Sequence, residues 1–168
     1  MKEPGKHPTP GQRRQDRLIH EWVHDPYKSK RKLPDPTVCP QCGAVFHQGR
    51  WTWLTPPKNA HEELCPACQR VRDKYPAGFL SLHGGFLDQH AQEIINLARN
   101  EERAETAEHP LHRIMQIEKQ VDGILITTTD IHLPRRIGEA LHRAYQGELD
   151  FHYIEEGSSL RVDWQREG

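Results

Sequence analysis

Cys39-Pro40-Gln41-Cys42-Gly43 and, 22 residues further on, Cys65-Pro66-Ala67-Cys68 contain all four cysteines of this 168-residue chain. Two residues between thiolates let both sulfurs of a pair turn toward one ion about 2.3 Å away, and the glycine after the first pair lets the backbone turn beneath it. Two such knuckles at this separation read as a four-cysteine zinc ribbon spanning residues 37–72. Four thiolates close a tetrahedral shell with no position left for water. The expected zinc, one ion held by Cys39, Cys42, Cys65 and Cys68, is therefore structural. A dithiol redox pair needs a single motif at a helix N-terminus behind a strand, and two copies at ribbon spacing argue against it. Disulfides call for an oxidising compartment of which the chain gives no sign. His61, four residues before Cys65, is a lesser alternative ligand.

Between the knuckles, Phe46-His47-Gln48-Gly49-Arg50-Trp51-Thr52-Trp53 reads as the ribbon finger. With so little core available, one tryptophan is expected over the zinc site, leaving Arg50 and the other ring to face outward toward nucleic acid or protein.

Upstream, the composition changes. Residues 1–36 carry nine Lys/Arg against five Asp/Glu, residues 37–70 carry three against two, and residues 71–168 carry eleven against seventeen, so the net charge of −1 conceals a basic end and an acidic end. A polyanionic partner is expected for the first and a different contact for the second. Residues 1–36 read as an extended basic arm with too few large apolar side chains for a core of its own. Arg13, Arg14, Arg17, Lys28, Lys30, Arg31 and Lys32 are its candidate phosphate contacts. Trp22 and Tyr27 add stacking surface, a combination suited to RNA loops and single strands, although a basic tail can also be simply solvated. Arg50, Trp51 and Arg70 in the ribbon and Arg135 and Arg136 on a later helix complete the candidate nucleic-acid contacts, a solvated helix surface being the alternative for the last two.

Downstream, residues 73–109 read as a linker that bends at Gly84-Gly85 and then an amphipathic helix from Leu87 to Ala107, with Leu87, Ala91, Ile94, Ile95 and Ala98 at helical spacing before Pro110. Residues 110–168 read as hairpin, helix, hairpin. Met115 and Ile117 alternate with polar residues, Asp122-Gly123 turns, and Ile124–Thr128 returns. Asp130 caps a helix reaching about Gln146, with Pro134 tolerated in its first turn. Leu149, Phe151 and Tyr153 alternate before the Gly157-Ser158-Ser159 turn, and Leu160, Val162 and Trp164 return, with Trp164, Phe151 and Leu141 expected among the buried residues. The expected class is α+β: a zinc ribbon, then a small antiparallel sheet covered by two helices on one face.

Only 35% of residues are hydrophobic, which rules out a large core. No apolar run approaches the roughly 20 residues a membrane span needs, and residues 1–22 show no signal-like apolar stretch, so the expected location is the cytoplasm. The twelve histidines read as scattered surface residues with none beside a candidate nucleophile, and Asp122, Asp130 and Asp150 as turn, cap and strand-edge residues. The chain is read as no enzyme.

The Cys-Pro-x-Cys-Gly knuckle, the second C-x-x-C, and Val121 to Tyr153, running Asp-Gly, β-run, Thr-Thr-Asp, helix, β-run, resemble the N-terminal part of the large-ribosomal-subunit nuclear export adaptor of eukaryotes and its archaeal relatives. The resemblance covers residues 37–165 and suits a compact bacterial member. It matches Cys39, Cys42, Cys65 and Cys68 to a family zinc site, and it implies binding to the large subunit through rRNA and ribosomal proteins. Family members carry additional C-x-x-C pairs and a second zinc site, C-terminal barrel domains and export signals, which are not read in this sequence with its four cysteines, so nuclear transport is not implied. The resulting expectation is a non-enzymatic ribosome-associated factor for assembly, stress or hibernation that occupies a functional site, with no membrane and no small-molecule substrate. The alternatives are a zinc-ribbon DNA-binding regulator, which lacks a recognisable recognition helix, and a zinc hydrolase, which needs an open metal position.

Overall fold

A computed structural model describes Tyr27, residues 32–154 and residues 157–168. Thr37–Val38 (β1), Val45–His47 (β2), Arg50–Thr52 (β3) and His61–Glu62 (β4) form a sheet in the order β3-β2-β1-β4, antiparallel except where β4 runs parallel to β1. The β2–β3 turn holds Gln48 and Gly49 at φ of 51° and 82°, two left-handed residues in succession, as a tight hairpin turn of matching twist demands. Pro66–Asp73 then forms an α-helix, α1, where the sequence pattern predicts only short ribbon segments. The helix is seeded locally: Cys65 accepts the Cys68 N–H on its sulfur at 3.3 Å as a cap, Pro66 stands at the first helical position, and Lys74 closes the C-terminus with left-handed φ of 53°.

The second sheet has the order β6-β7-β5-β9-β8, built from Gly78–His83 (β5), Ile114–Gln120 (β6), Gly123–Thr128 (β7), Glu148–Ile154 (β8) and Ser159–Gln165 (β9). Both expected hairpins form. The sheet is nevertheless mixed rather than antiparallel, because β5 lies in its centre, antiparallel to β7 and parallel to β9. The sequence pattern assigns residues 78–83 to the linker. Leu80 and Leu82 are too short a pattern to mark a strand alone, and the pairing that makes them one comes from strands far along the chain, at residues 123–128 and 160–165. Two glycines permit this close packing. A Cβ at Gly78 would collide with Thr128 Oγ1, and one at Gly123 would collide with the Leu82 carbonyl oxygen. The expected boundary at residue 110 therefore falls inside one sheet-and-helix unit.

Two helices complete that unit. Leu87–Glu108 (α2) ends one residue beyond its expected limit, and His132–Tyr145 (α3) carries Pro134 in its first turn. The Asp130 carboxylate accepts the N–H groups of His132 and Leu133 at 2.8 and 3.2 Å, so the expected cap is made. α3 packs on β5, β7, β8 and β9, and α2 packs on α3. Leu80, Leu82, Ile126, Leu160, Val162 and Trp164 from the strands meet Ile94, Leu133, Ile137 and Leu141 from the helices, all fully buried. Phe151, expected among them, is only half-buried at the edge. No described helix is long and apolar enough to cross a membrane.

Candidate metal centre

Four sulfurs, those of Cys39, Cys42, Cys65 and Cys68, lie within 4.8 Å of one another. The knuckle of Cys39 and Cys42 is folded by backbone bonds from Cys39 N–H to the Ala44 carbonyl (2.8 Å) and from Gly43 N–H to the Cys39 carbonyl (2.9 Å), with Gly43 at φ of 83°. The other knuckle is the N-terminus of α1. All four cysteines are free of disulfides, three are buried, and the set is positioned to hold one metal ion. His61 is exposed on β4 and stands outside the group.

The sulfurs are surrounded by donors. Cys65 N–H points to the Cys39 sulfur at 3.3 Å and Cys68 N–H to the Cys65 sulfur at 3.3 Å. Arg113 Nη2 reaches both Cys65 (3.3 Å) and Cys68 (3.2 Å). Before a metal binds, the hydrogen bond from the Cys65 thiol, aided by the Ala44 N–H and Arg113, lowers the Cys42 thiol to about 5. The same bond, together with burial, pushes Cys65 up, and burial pushes up Cys68 against the pull of Arg113. Burial disfavours the Arg113 charge, but the nearby sulfurs outweigh it and hold the guanidinium firmly protonated. A divalent ion on four thiolates carries a net charge of −2, and Arg113 is the cation placed against it.

Nothing in the sequence around Arg113 signals a metal site, and no candidate contact is read there. It lies 45 residues beyond Cys68, immediately before β6. Its backbone is fixed by Thr129, whose Oγ1 accepts the Arg113 N–H (2.9 Å) and donates to the Leu111 carbonyl (2.5 Å). Leu111 and Trp51 pack against the cysteine cluster, so one tryptophan does cover the site as expected. Trp53, expected to face outward, is 40% exposed but donates its indole N–H to the Thr106 carbonyl on α2 at 2.7 Å. Three contacts, through Arg113, Leu111 and Trp53, thus join the ribbon to the larger unit.

The expected nucleic-acid contacts divide. Arg13, Arg14, Arg17, Trp22, Lys28, Lys30 and Arg31 lie outside the described residues. Lys32 and Arg50 are exposed. Arg70 is 3% exposed: it donates to the Tyr75 carbonyl (3.0 Å), and its guanidinium lies over the rings of Tyr27 and Tyr75 at 4.5 and 5.7 Å. It is a packing residue, and Tyr27, expected as a stacking surface for RNA, is engaged with it and with Asp73. Arg135 pairs with Glu139 (3.0 Å) over the Phe151 ring. Arg136 pairs with Glu101 and Glu105 at 2.6 and 2.5 Å. The expected basic face on α3 is thereby neutralised, Arg135 by Glu139 of the same helix and Arg136 by acids of α2 that sequence distance conceals.

One histidine pair also departs from the reading of scattered surface residues: His20-Glu21-Trp22-Val23-His24 spells H-E-x-x-H. That spacing binds metal when both imidazoles share a helical face. These residues lie outside the described ones. Comparison with models of protein families, with curated proteins and with solved structures finds no match.

Proposed function

We propose that the metal is zinc and that the protein is a non-enzymatic, zinc-stapled factor that binds rRNA of the large ribosomal subunit through its basic arm and ribbon finger. All-thiolate tetrahedral ligation suits zinc, and four sulfurs leave no position for a substrate or an activated water. The observation that carries the reading is the fastening of the arm to the finger. Asp35, at the end of the basic segment, meets His47 Nδ1 at 2.7 Å and accepts the Gln48 N–H at 3.0 Å. This anchors the chain that bears Lys32 to the turn that leads into Arg50, so two sources of positive charge are tied together. The acidic remainder then faces a different surface, such as a ribosomal protein, and the bound factor obstructs a functional site.

Sedimentation of tagged protein from growing and starved cells tests this. Movement with large subunits or ribosomes is expected, and retention at the top of the gradient in both conditions overturns the reading. Affinity for rRNA should fall steeply with salt, and replacing Lys30, Arg31 and Lys32 together should flatten that slope.

A further inference from the structure

The five-stranded sheet has two edges, and they are treated differently. β6 is guarded. It is broken by a bulge between Ile114 and Gln116, its Ile114 N–H is taken by Glu102 at 2.5 Å, and Lys119 is exposed on it. Bulges and lysines are the usual means of keeping an edge from pairing. β8 carries neither. It pairs with β9 in unbroken register from Glu148↔Gln165 to Ile154↔Ser159, and among the described residues no strand lies beyond it. Leu149, Phe151 and Tyr153 point to the core side yet are only partly covered.

The sequence of this edge, Glu148-Leu149-Asp150-Phe151-His152-Tyr153-Ile154, is close to self-complementary about its centre. We propose that β8 pairs antiparallel with β8 of a second copy, with Phe151 on the two-fold axis, to make a continuous ten-stranded sheet. In that register Phe151 meets Phe151, Leu149 meets the second copy's Tyr153, and Asp150 meets the second copy's His152, the last two pairs occurring twice by symmetry. Shifting by one residue would put core-side residues opposite solvent-side ones. Centring the pair on Asp150 would oppose two aspartates, and centring it on His152 would leave two residues of each edge unused. Only the register about Phe151 engages all seven residues without opposing like charges. The charges within one chain favour the same register. Asp150 stands directly across from Asp163, and the chain's own His152 lies 3.8 Å from Asp163, on the diagonal, rather than beside Asp150. The second copy's imidazole offers Asp150 a ring N–H to accept from, where the neighbour across its own hairpin is a like charge.

Sedimentation equilibrium of the full, metal-loaded chain over a range of concentrations tests this. A reversible dimer of twice the 19.5 kDa chain mass is expected. His152→Asp opposes aspartates at two symmetric positions and should weaken the dimer roughly tenfold or more. Position 152 is exposed and faces Arg161 across the hairpin, so this variant keeps a countercharge and should fold, as checked by circular dichroism. The exchange of both residues, Asp150→His with His152→Asp, restores the pairs and should restore the dimer. A chain that stays monomeric throughout, or a dimer that neither His152→Asp nor the exchange shifts, overturns the proposal.

Discussion

The two halves of the molecule solve the same problem with different means. In residues 37–73 the largest fully buried side chains are Val45 and Thr37, and the rest of the interior is sulfur, alanine, backbone and the buried Arg70. In residues 77–168 Trp164 and the aliphatic side chains around it, led by Leu80, Leu82, Ile126 and Ile137, close a core without any metal ligand. One half is arranged around a site for a metal ion, and the other around its central strand. They differ in what destroys them, and they communicate where Arg113 crosses from one to the other.

The largest effect expected from breaking this comparison is the loss of the larger unit when β5 is withheld. A fragment of residues 110–168 lacks the strand between β7 and β9 and should show no cooperative unfolding by circular dichroism. A sharp transition would mean that the two hairpins and α3 close a core alone. Next comes metal removal. Chelation, or Cys65→Ser, should unfold the ribbon while the larger unit keeps its transition. Metal analysis should find one zinc per chain, and a second equivalent lost on His20→Ala would bring the H-E-x-x-H pair into play. Within the larger unit, Leu82→Ala on the central strand should lower stability by about 2–5 kcal/mol in urea titrations while leaving the zinc content unchanged.

Smaller effects probe the junction. Arg113→Ala should accelerate zinc loss to a competing chelator by about 10–100-fold, the range seen when a group behind a metal ligand is removed, with Arg113→Lys intermediate. An unchanged rate would show that the guanidinium only fills space. The smallest effect concerns Glu105, whose burial raises its carboxyl but is outweighed by the hydrogen bonds from His112 and Arg136, so that it titrates below its usual 4.5. Its contribution is present above pH 4.5 and lost as pH falls through the lowered value. Glu105→Gln should remove about 1 kcal/mol or less of acid sensitivity. Burial of Asp130 raises its carboxyl and acts with the opposite sign, so the difference between wild type and variant is the quantity to measure.

What could be read from the sequence was what neighbouring residues decide. The knuckles, the Asp130 cap, the two hairpins and both long helices depend on residues a few positions apart, and each is found close to its expected place. β5 escapes because a glycine-flanked strand becomes visible only with its partners, and α1 because its cap is a cysteine already assigned to a metal. The arginines mislead for a related reason. Arg70, Arg135 and Arg136 add to a basic surface when charges are counted along the chain, but Tyr27, Glu139, Glu101 and Glu105 claim them in space. Arg113 is the converse case, an isolated residue whose role exists only through a contact made 45 positions away.

The parallel pairing of β5 with β9 also sets an order in time. Every ligand and backbone contact within the knuckles closes inside the span from Cys39 to Cys68, so the metal-bound ribbon can assemble early. Gly78 must wait for Leu160 before the centre of the larger sheet is complete. Until then one side of β5 is an open edge, and the hydrophobic residues destined for the core are exposed to chaperones and to other chains. The slow and vulnerable phase of this protein's folding thus belongs to the half that, once finished, is the better packed.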